Sequence, residues 1–255
     1  MTTIKNIVIT GASSGIGAEL ARQLGLEKHH LVLAARREQE LDDVAKHSGT
    51  DAVAVVTDVR NRDEVERLRD RAIATFGHVD VWINNAGRGI AKRILEVTDE
   101  DFDEMMSVNT KSALYGMQAI VPHFKERGEG HLINISSFLG RVPLATFRSA
   151  YNAAKAALNS LTANLRMDLK KEFPNIHVSL VMPGVVTTDF AKNAVGGSQP
   201  VTPPPGPMKP QTVEEVAAAI VNLIHHPVPE IFTNPASPEI AKRYYQDIAA
   251  FEAGI

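Results

Sequence analysis

Ile4-Lys5-Asn6-Ile7-Val8-Ile9-Thr10-Gly11-Ala12-Ser13-Ser14-Gly15-Ile16-Gly17-Ala18-Glu19-Leu20 reads as strand, turn and helix in direct succession. The run from Ile4 to Ile9 has strand length and is rich in β-branched residues. Glycines at 11, 15 and 17 then interrupt it, and a helical pattern continues to Leu24. Glycine here serves a tight turn, a backbone bare enough for a pyrophosphate to approach, and, at Gly17, close packing of the helix on the sheet. The helix N-terminus presents free N–H groups and its positive dipole end to that anion. The spacing is Gly-x3-Gly-x-Gly, not the commoner Gly-x-Gly-x2-Gly, but the strand–turn–helix context is the one phosphate binding requires. Gly11, Ser13, Ser14, Gly15, Ile16 and Gly17 are therefore expected to bind a cofactor's phosphates.

The alternation continues along the chain. Short apolar runs, nearly continuous in Val, Ile and Leu, fall at 31–35, 52–56, 79–83, 131–135, 177–182 and 230–233. Such runs suit strands buried on both faces of a parallel sheet. Helical patterns fill the intervals at 37–46, 62–76, 101–127, 150–173 and 212–225, the last opened by a capping box of Thr212 and Glu215. The 255 residues are expected to form one α/β domain: a Rossmann-like, doubly wound parallel sheet of about seven strands with helices on both faces. Two segments break the rhythm. The proline cluster before Pro210 predicts a mobile substrate loop over 189–210, and a helical tail runs from Ser237 to Phe251.

Composition narrows the function. A net charge of −3 argues against nucleic acid or an acidic membrane as the main partner. Absence of cysteine excludes disulfides, a thiol nucleophile and thiolate metal sites. No apolar run approaches ~18 residues and no signal-like segment opens the chain, which reads as a cytoplasmic protein. The second strand ends Ala35-Arg36-Arg37, so no acid stands where NAD-specific sites hold the ribose 2′-hydroxyl. Arg36 and Arg37 suit the 2′-phosphate of NADP instead, with NAD disfavoured.

Further polar residues sit at the ends of the apolar runs: Asp58-Val59, Asn85-Ala86-Gly87, Ser136-Ser137 and Pro183-Gly184 with Val186 and Thr188. Asn109 lies within the long helical pattern, and Tyr151 and Lys155 stand four residues apart, on one helix face. An ammonium beside a phenol favours the phenolate and is expected to lower its pKa. Taken in order, this set closely resembles the short-chain dehydrogenase/reductase family from about Lys5 to Thr233, in its short single-domain, NADP-preferring carbonyl reductase form.

The resemblance implies a catalytic set of Asn109, Ser137, Tyr151 and Lys155, with Ser137 and not Ser136 as the catalytic serine. It places Asp58 and Val59 on the adenine side. Asn85, Ala86 and Gly87 support the cofactor, as do Pro183 and Gly184, while Val186 and Thr188 hold the nicotinamide. Tyr151 and Lys155 also touch the cofactor ribose. The reaction implied is NADP-dependent interconversion of a ketone and a secondary alcohol, in a homodimer or homotetramer. Phe138 to Leu144, with Phe190, Val195 and Val201, make apolar pocket walls for a bulky ketone. Arg141 and Arg148 offer an anion site, but read more simply as solvated arginines. A 3-oxoacyl thioester reductase is the alternative enzyme, and a non-catalytic NADP-binding sensor the alternative of another class. His29-His30 and His225-His226 are adjacent pairs without metal-ligand spacing, so no metal is assigned.

Overall fold

Side chains alternate across the central strands, and that alternation builds the molecule. In the computed structural model, which describes residues 3–49, 51–188, 190, 194–197 and 208–254, β1 (Asn6–Thr10) is buried throughout. Ile7 and Ile9 point to one side of the sheet and Val8 to the other. β2 (His30–Ala35), β4 (Val81–Asn84), β5 (Gly130–Ile135) and β6 (Ile176–Met182) repeat the pattern. β3 (Ala52–Val56) and β7 (Glu230–Phe232) are the half-buried edges. All pairings are parallel and the order is β3-β2-β1-β4-β5-β6-β7.

One face is covered by α1 (Gly15–Leu26), α2 (Glu38–His47) and α7 (Val213–His225), with Leu20, Leu24, Leu41, Val216 and Ile220 in the core. The other is covered by α3 (Arg62–Phe76), α5 (Ser112–Arg127) and α6 (Ser149–Leu169), through Leu68, Ile120, Phe124 and Leu158. The chain leaves β1 toward β2 and β3, then returns to place β4 on β1's other side. Strand order reverses there, and the open crevice at the strands' C-terminal ends is where ligands bind in such sheets.

The expected seven-strand, doubly wound domain is present, and Thr212 and Glu215 do form the capping box. Three expectations change. The pattern over 101–127 is not one helix. α4 (Asp99–Met106), capped by Thr98, passes through a π-helical turn at Ser107–Lys111 before α5 begins. α6 stops at Leu169, leaving Phe173 to stack under the Lys125 ammonium. The tail forms two helices, α8 (Ser237–Gln246) and α9 (Ile248–Ala253), whose Ile240, Ala241, Tyr244 and Phe251 pack with Phe138, Val142 and Met208. Of the expected 189–210 loop, residues 189, 191–193 and 198–207, Val201 included, lie outside the described residues. Its two ends are joined where Val185 and Thr187 exchange backbone hydrogen bonds with Gln211.

Candidate active site

The glycine turn is held by contacts that no side chain would permit. Gly11 adopts φ +67°, and a Cβ there would lie 2.7 Å from the Ala86 Cα. A Cβ on Gly17 would lie 2.4 Å from the Gly11 carbonyl oxygen. Gly17 thus packs on the turn itself. Thr10, at the end of β1, accepts from the Asn85 and Ala86 backbone N–H groups, and Asn85 Nδ2 donates back to the Thr10 carbonyl at 2.9 Å. The segment after β4 is thereby laced to the turn. Thr10 did not stand out in the sequence, because a threonine ending a strand is ordinary.

Ser14 precedes α1 but its side chain caps no N–H group. Ser13 and Ser14 instead accept from Arg37 Nη2, each at 3.0 Å. The first N–H groups of α1 are left for an anion, and the bare backbone before them admits one closely, so these residues fit a dinucleotide's phosphates. Arg36 is exposed and near enough to help hold the Asp58 carboxyl below its usual range, after the main cause, the Arg60 hydrogen bond. Arg60 also reaches Glu104, which Arg88 shares. Val59 is buried beside Asp58. Across the crevice, Thr188 lies 3.7 Å from where a Gly15 Cβ would be, and Pro183 accepts from the Phe138 N–H. Val186 pairs with Gln211, and Gly184 lies against Asn234 and Met208.

Ser137 lies two residues beyond the end of β5, and Tyr151 and Lys155 come from the first turns of α6. All three are buried. Ser136 turns inward, donating to Asn159 Oδ1, with the Lys155 carbonyl oxygen 3.3 Å away. Ser137 Oγ accepts from the Leu139 N–H at 3.1 Å and lies close enough to the Tyr151 phenol to oppose the rise in its pKa. The Lys155 ammonium lies 5.8 Å from the Tyr151 ring centroid and donates to the Ile135 carbonyl at 2.8 Å. Asn109, in the π turn, accepts from the Arg88 N–H and donates to the Arg88 carbonyl. A Cβ at Gly87 would lie 3.0 Å from Asn109 Oδ1 and 3.6 Å from Lys155 Nζ, so these two groups flank one glycine.

The electrostatics correct one expectation. Burial pushes the Tyr151 phenol up from its ordinary pKa, outweighing the opposing Ser137 hydrogen bond and Arg148 charge. The same burial pushes Lys155 down to about 7. An ammonium that is itself desolvated, and turned toward a carbonyl, does not lower the phenol as helical spacing alone predicts.

The pocket walls also divide differently from the sequence reading. Phe138 and Val142 bury in the tail cluster, whereas Leu139, Phe190, Val195 and Ile90 gather around Tyr151. Val195 reaches that place by exchanging backbone hydrogen bonds with Gly89 and Ala91. Arg141 is half-buried and pairs with Glu230 at 2.6 Å. Arg148 is buried and not solvated.

No metal was expected from the sequence, yet the fold brings Glu27, His29 and His225 together with ligand atoms within 4.8 Å. The Lys5 N–H donates to His29 Nδ1, so the neutral ring carries its proton on Nε2, toward Glu27. His225 approaches the same Glu27 oxygen at 2.8 Å. The carboxylate is a hydrogen-bond acceptor for two rings, and the lone pair a metal needs on His29 Nε2 is taken by the proton. Among the described residues, no helix is long and apolar enough to cross a membrane.

A parallel α/β sheet with Ser, Tyr and Lys converging beside a glycine turn at its strand ends has the architecture of an oxidoreductase. The family model for short chain dehydrogenase matches residues 5–198, and the chain belongs to that family. The uncharacterized oxidoreductase YxnA of Bacillus subtilis is 36% identical over 247 residues, spanning 92% of this chain and 67% of the relative. A short chain dehydrogenase/reductase from Burkholderia phymatum, solved in complex with NAD, superposes with a TM-score of 0.86 at 27% identity, covering 97% of this chain and 95% of that one. An alcohol dehydrogenase from the archaeon Thermococcus sibiricus, complexed with 5-hydroxy-NADP, gives a TM-score of 0.78 at 27% identity, covering 92% and 98%.

Proposed function

We propose that the protein is an NADP-dependent reductase that interconverts a bulky, largely apolar ketone and its secondary alcohol. The observation that carries this reading is the buried phenol of Tyr151, kept protonated beside Ser137 and one helical turn from Lys155. A bound nicotinamide cofactor supplies the hydride. Tyr151 gives its proton to the developing alkoxide, and Ser137 donates a hydrogen bond to the same oxygen. Lys155 orients the cofactor ribose. Asn109 Oδ1 keeps a second lone pair, beyond the Arg88 N–H, for a water on the path by which the proton is replaced. Leu139, Phe190 and Val195 exclude bulk water around the phenol.

The choice of NADP rests on Arg36 and Arg37 at the end of β2, since the two solved relatives hold cofactors of both kinds. The test is steady-state oxidation of NADPH and of NADH with a panel of aryl and alkyl ketones and one 3-oxoacyl thioester, with Tyr151→Phe as control. Turnover that prefers NADPH and disappears in the variant is the expected result. Nucleotide binding with no turnover of any member would favour a sensor. Preference for the thioester over every ketone would move the substrate class. Replacing Arg36 and Arg37 together with alanine is expected to lower the NADPH-to-NADH ratio of kcat/KM by about tenfold or more, the loss of charge-assisted hydrogen bonds to one phosphate.

A further inference from the structure

Arg148 is the N-cap residue immediately before α6, three residues before Tyr151, and the mechanism above gives it no task. Its side chain is buried, with the residue 7% exposed. Its Nη1 has no hydrogen-bond partner. Several other arginines pair with carboxylates: Arg60 with Asp58 and Glu104, Arg88 with Glu104, and Arg141 and Arg166 with Glu230. Among the described residues, no carboxylate pairs with Arg148. Its guanidinium lies 5.6 Å from the Phe190 ring centroid and 5.5 Å from that of Phe147. Phe190 in turn stands edge-on to Tyr151 at 5.6 Å. A Cβ at Gly89 would fall 2.5 Å from Nη1, so the chain after β4 is bare beside the guanidinium.

A buried cation without a counter-charge is costly. Packing on two phenyl rings does not require it, since methionine would fill the same volume without the charge. Stacking orients a guanidinium but leaves its in-plane donors unused. We propose that Arg148 determines substrate specificity, binding a carboxylate on the substrate whose carbonyl faces Tyr151. The planar fork matches a carboxylate in two parallel hydrogen bonds. One unpaired cation among apolar walls fits a monoanion with an apolar body. The substrate class is then an apolar or aryl oxo acid and its hydroxy acid. This deepens the ketone reading and rests on it for the reacting carbon.

The test compares aryl oxo acids with their methyl esters as substrates with NADPH, for the wild type, Arg148→Met and Arg148→Lys. Alongside it, calorimetry titrates 3-phenylpropanoate and 3-phenylpropanamide into the protein with NADP+. The wild type is expected to favour acid over ester, and carboxylate over amide, by about 10- to 100-fold. Arg148→Met is expected to bring both ratios down at least tenfold, and Arg148→Lys to retain part of them. If Arg148→Met does not fold, the wild-type ratios and Arg148→Lys carry the result. Equal treatment of acid and ester by the wild type, or ratios that the variants leave unchanged, overturns the proposal. Turnover of neutral ketones with no such discrimination overturns it and leaves the reductase reading standing. Arg148-dependent carboxylate binding with no turnover of any oxo compound does the reverse.

Discussion

Tyr151 is 7% exposed and Lys155 3% exposed, so both titrate against the cost of holding a charge away from water. In the proposed reaction the phenol is the acid, and Tyr151→Phe removes it while keeping the ring. Turnover is expected to fall by about 10²- to 10⁴-fold in kcat, with nucleotide affinity nearly kept, as measured by NADPH oxidation and by fluorescence titration. Lys155 has a folded pKa of about 7, depressed from 10.5. Between those values the unfolded chain holds a proton that the folded chain does not, so folding stability rises with pH across that window. Nucleotide-free wild-type protein is therefore expected to gain stability from pH 7 to pH 9.5 relative to Lys155→Met, in denaturant titrations at each pH. A parallel course for the two proteins would mean that the lysine is not desolvated. At this scale the sequence showed which residue types stand together but not their protonation, because spacing carries no information about burial.

The glycine turn and the π turn are the two elements that make the site. In the first, a strand end and a helix start come so close that a Cβ on Gly17 would lie 2.4 Å from the Gly11 carbonyl oxygen. Gly17→Ala places a methyl group against backbone, which cannot rotate away. The turn must open, and nucleotide affinity is expected to fall by more than about tenfold, with a stability loss of about 1–3 kcal/mol measured by denaturant unfolding. Wild-type affinity in this variant would mean that the turn does not hold the phosphates. The glycine turn was legible because its residues are contiguous and glycine is chemically distinctive. The π turn was not: one extra residue per turn barely disturbs an apolar pattern, and the bonds that hold Asn109 within it run to the Arg88 backbone, 21 residues away.

At the opposite end of the sheet from the crevice, the whole fold acts on a single ring. His131, near the start of β5, donates from Nε2 to Ser179 Oγ, whose own hydrogen goes to the Val228 carbonyl. Burial pushes its pKa down to about 3 from 6.5. Between these values the unfolded chain binds the proton and the folded chain does not, so stability falls as pH drops below 6.5. At pH 5 this ring alone costs about 2 kcal/mol. His131→Gln is expected to lose that part of the acid sensitivity, so its melting temperature should drop less than the wild type's between pH 6.5 and pH 4.5. Identical pH profiles would show that other groups control acid unfolding; His29 and His123, also depressed by burial, are the next to examine. What the sequence by itself determined was the alternation of strand and helix, the glycine turn, and the order in which Asn85, Ser137, Tyr151 and Lys155 reach the strand ends. Those follow from backbone periodicity and covalent spacing, which neighbouring residues set. Only the tertiary structure decided that Tyr151 stays protonated, that Arg148 is buried with no counter-charge among the described residues, that the tail helices wall in Phe138, and that His225 meets Glu27 across 198 residues. Burial and pairing are properties of surfaces brought together by packing, and the residues on the two sides of such a contact leave no mark on each other's local sequence.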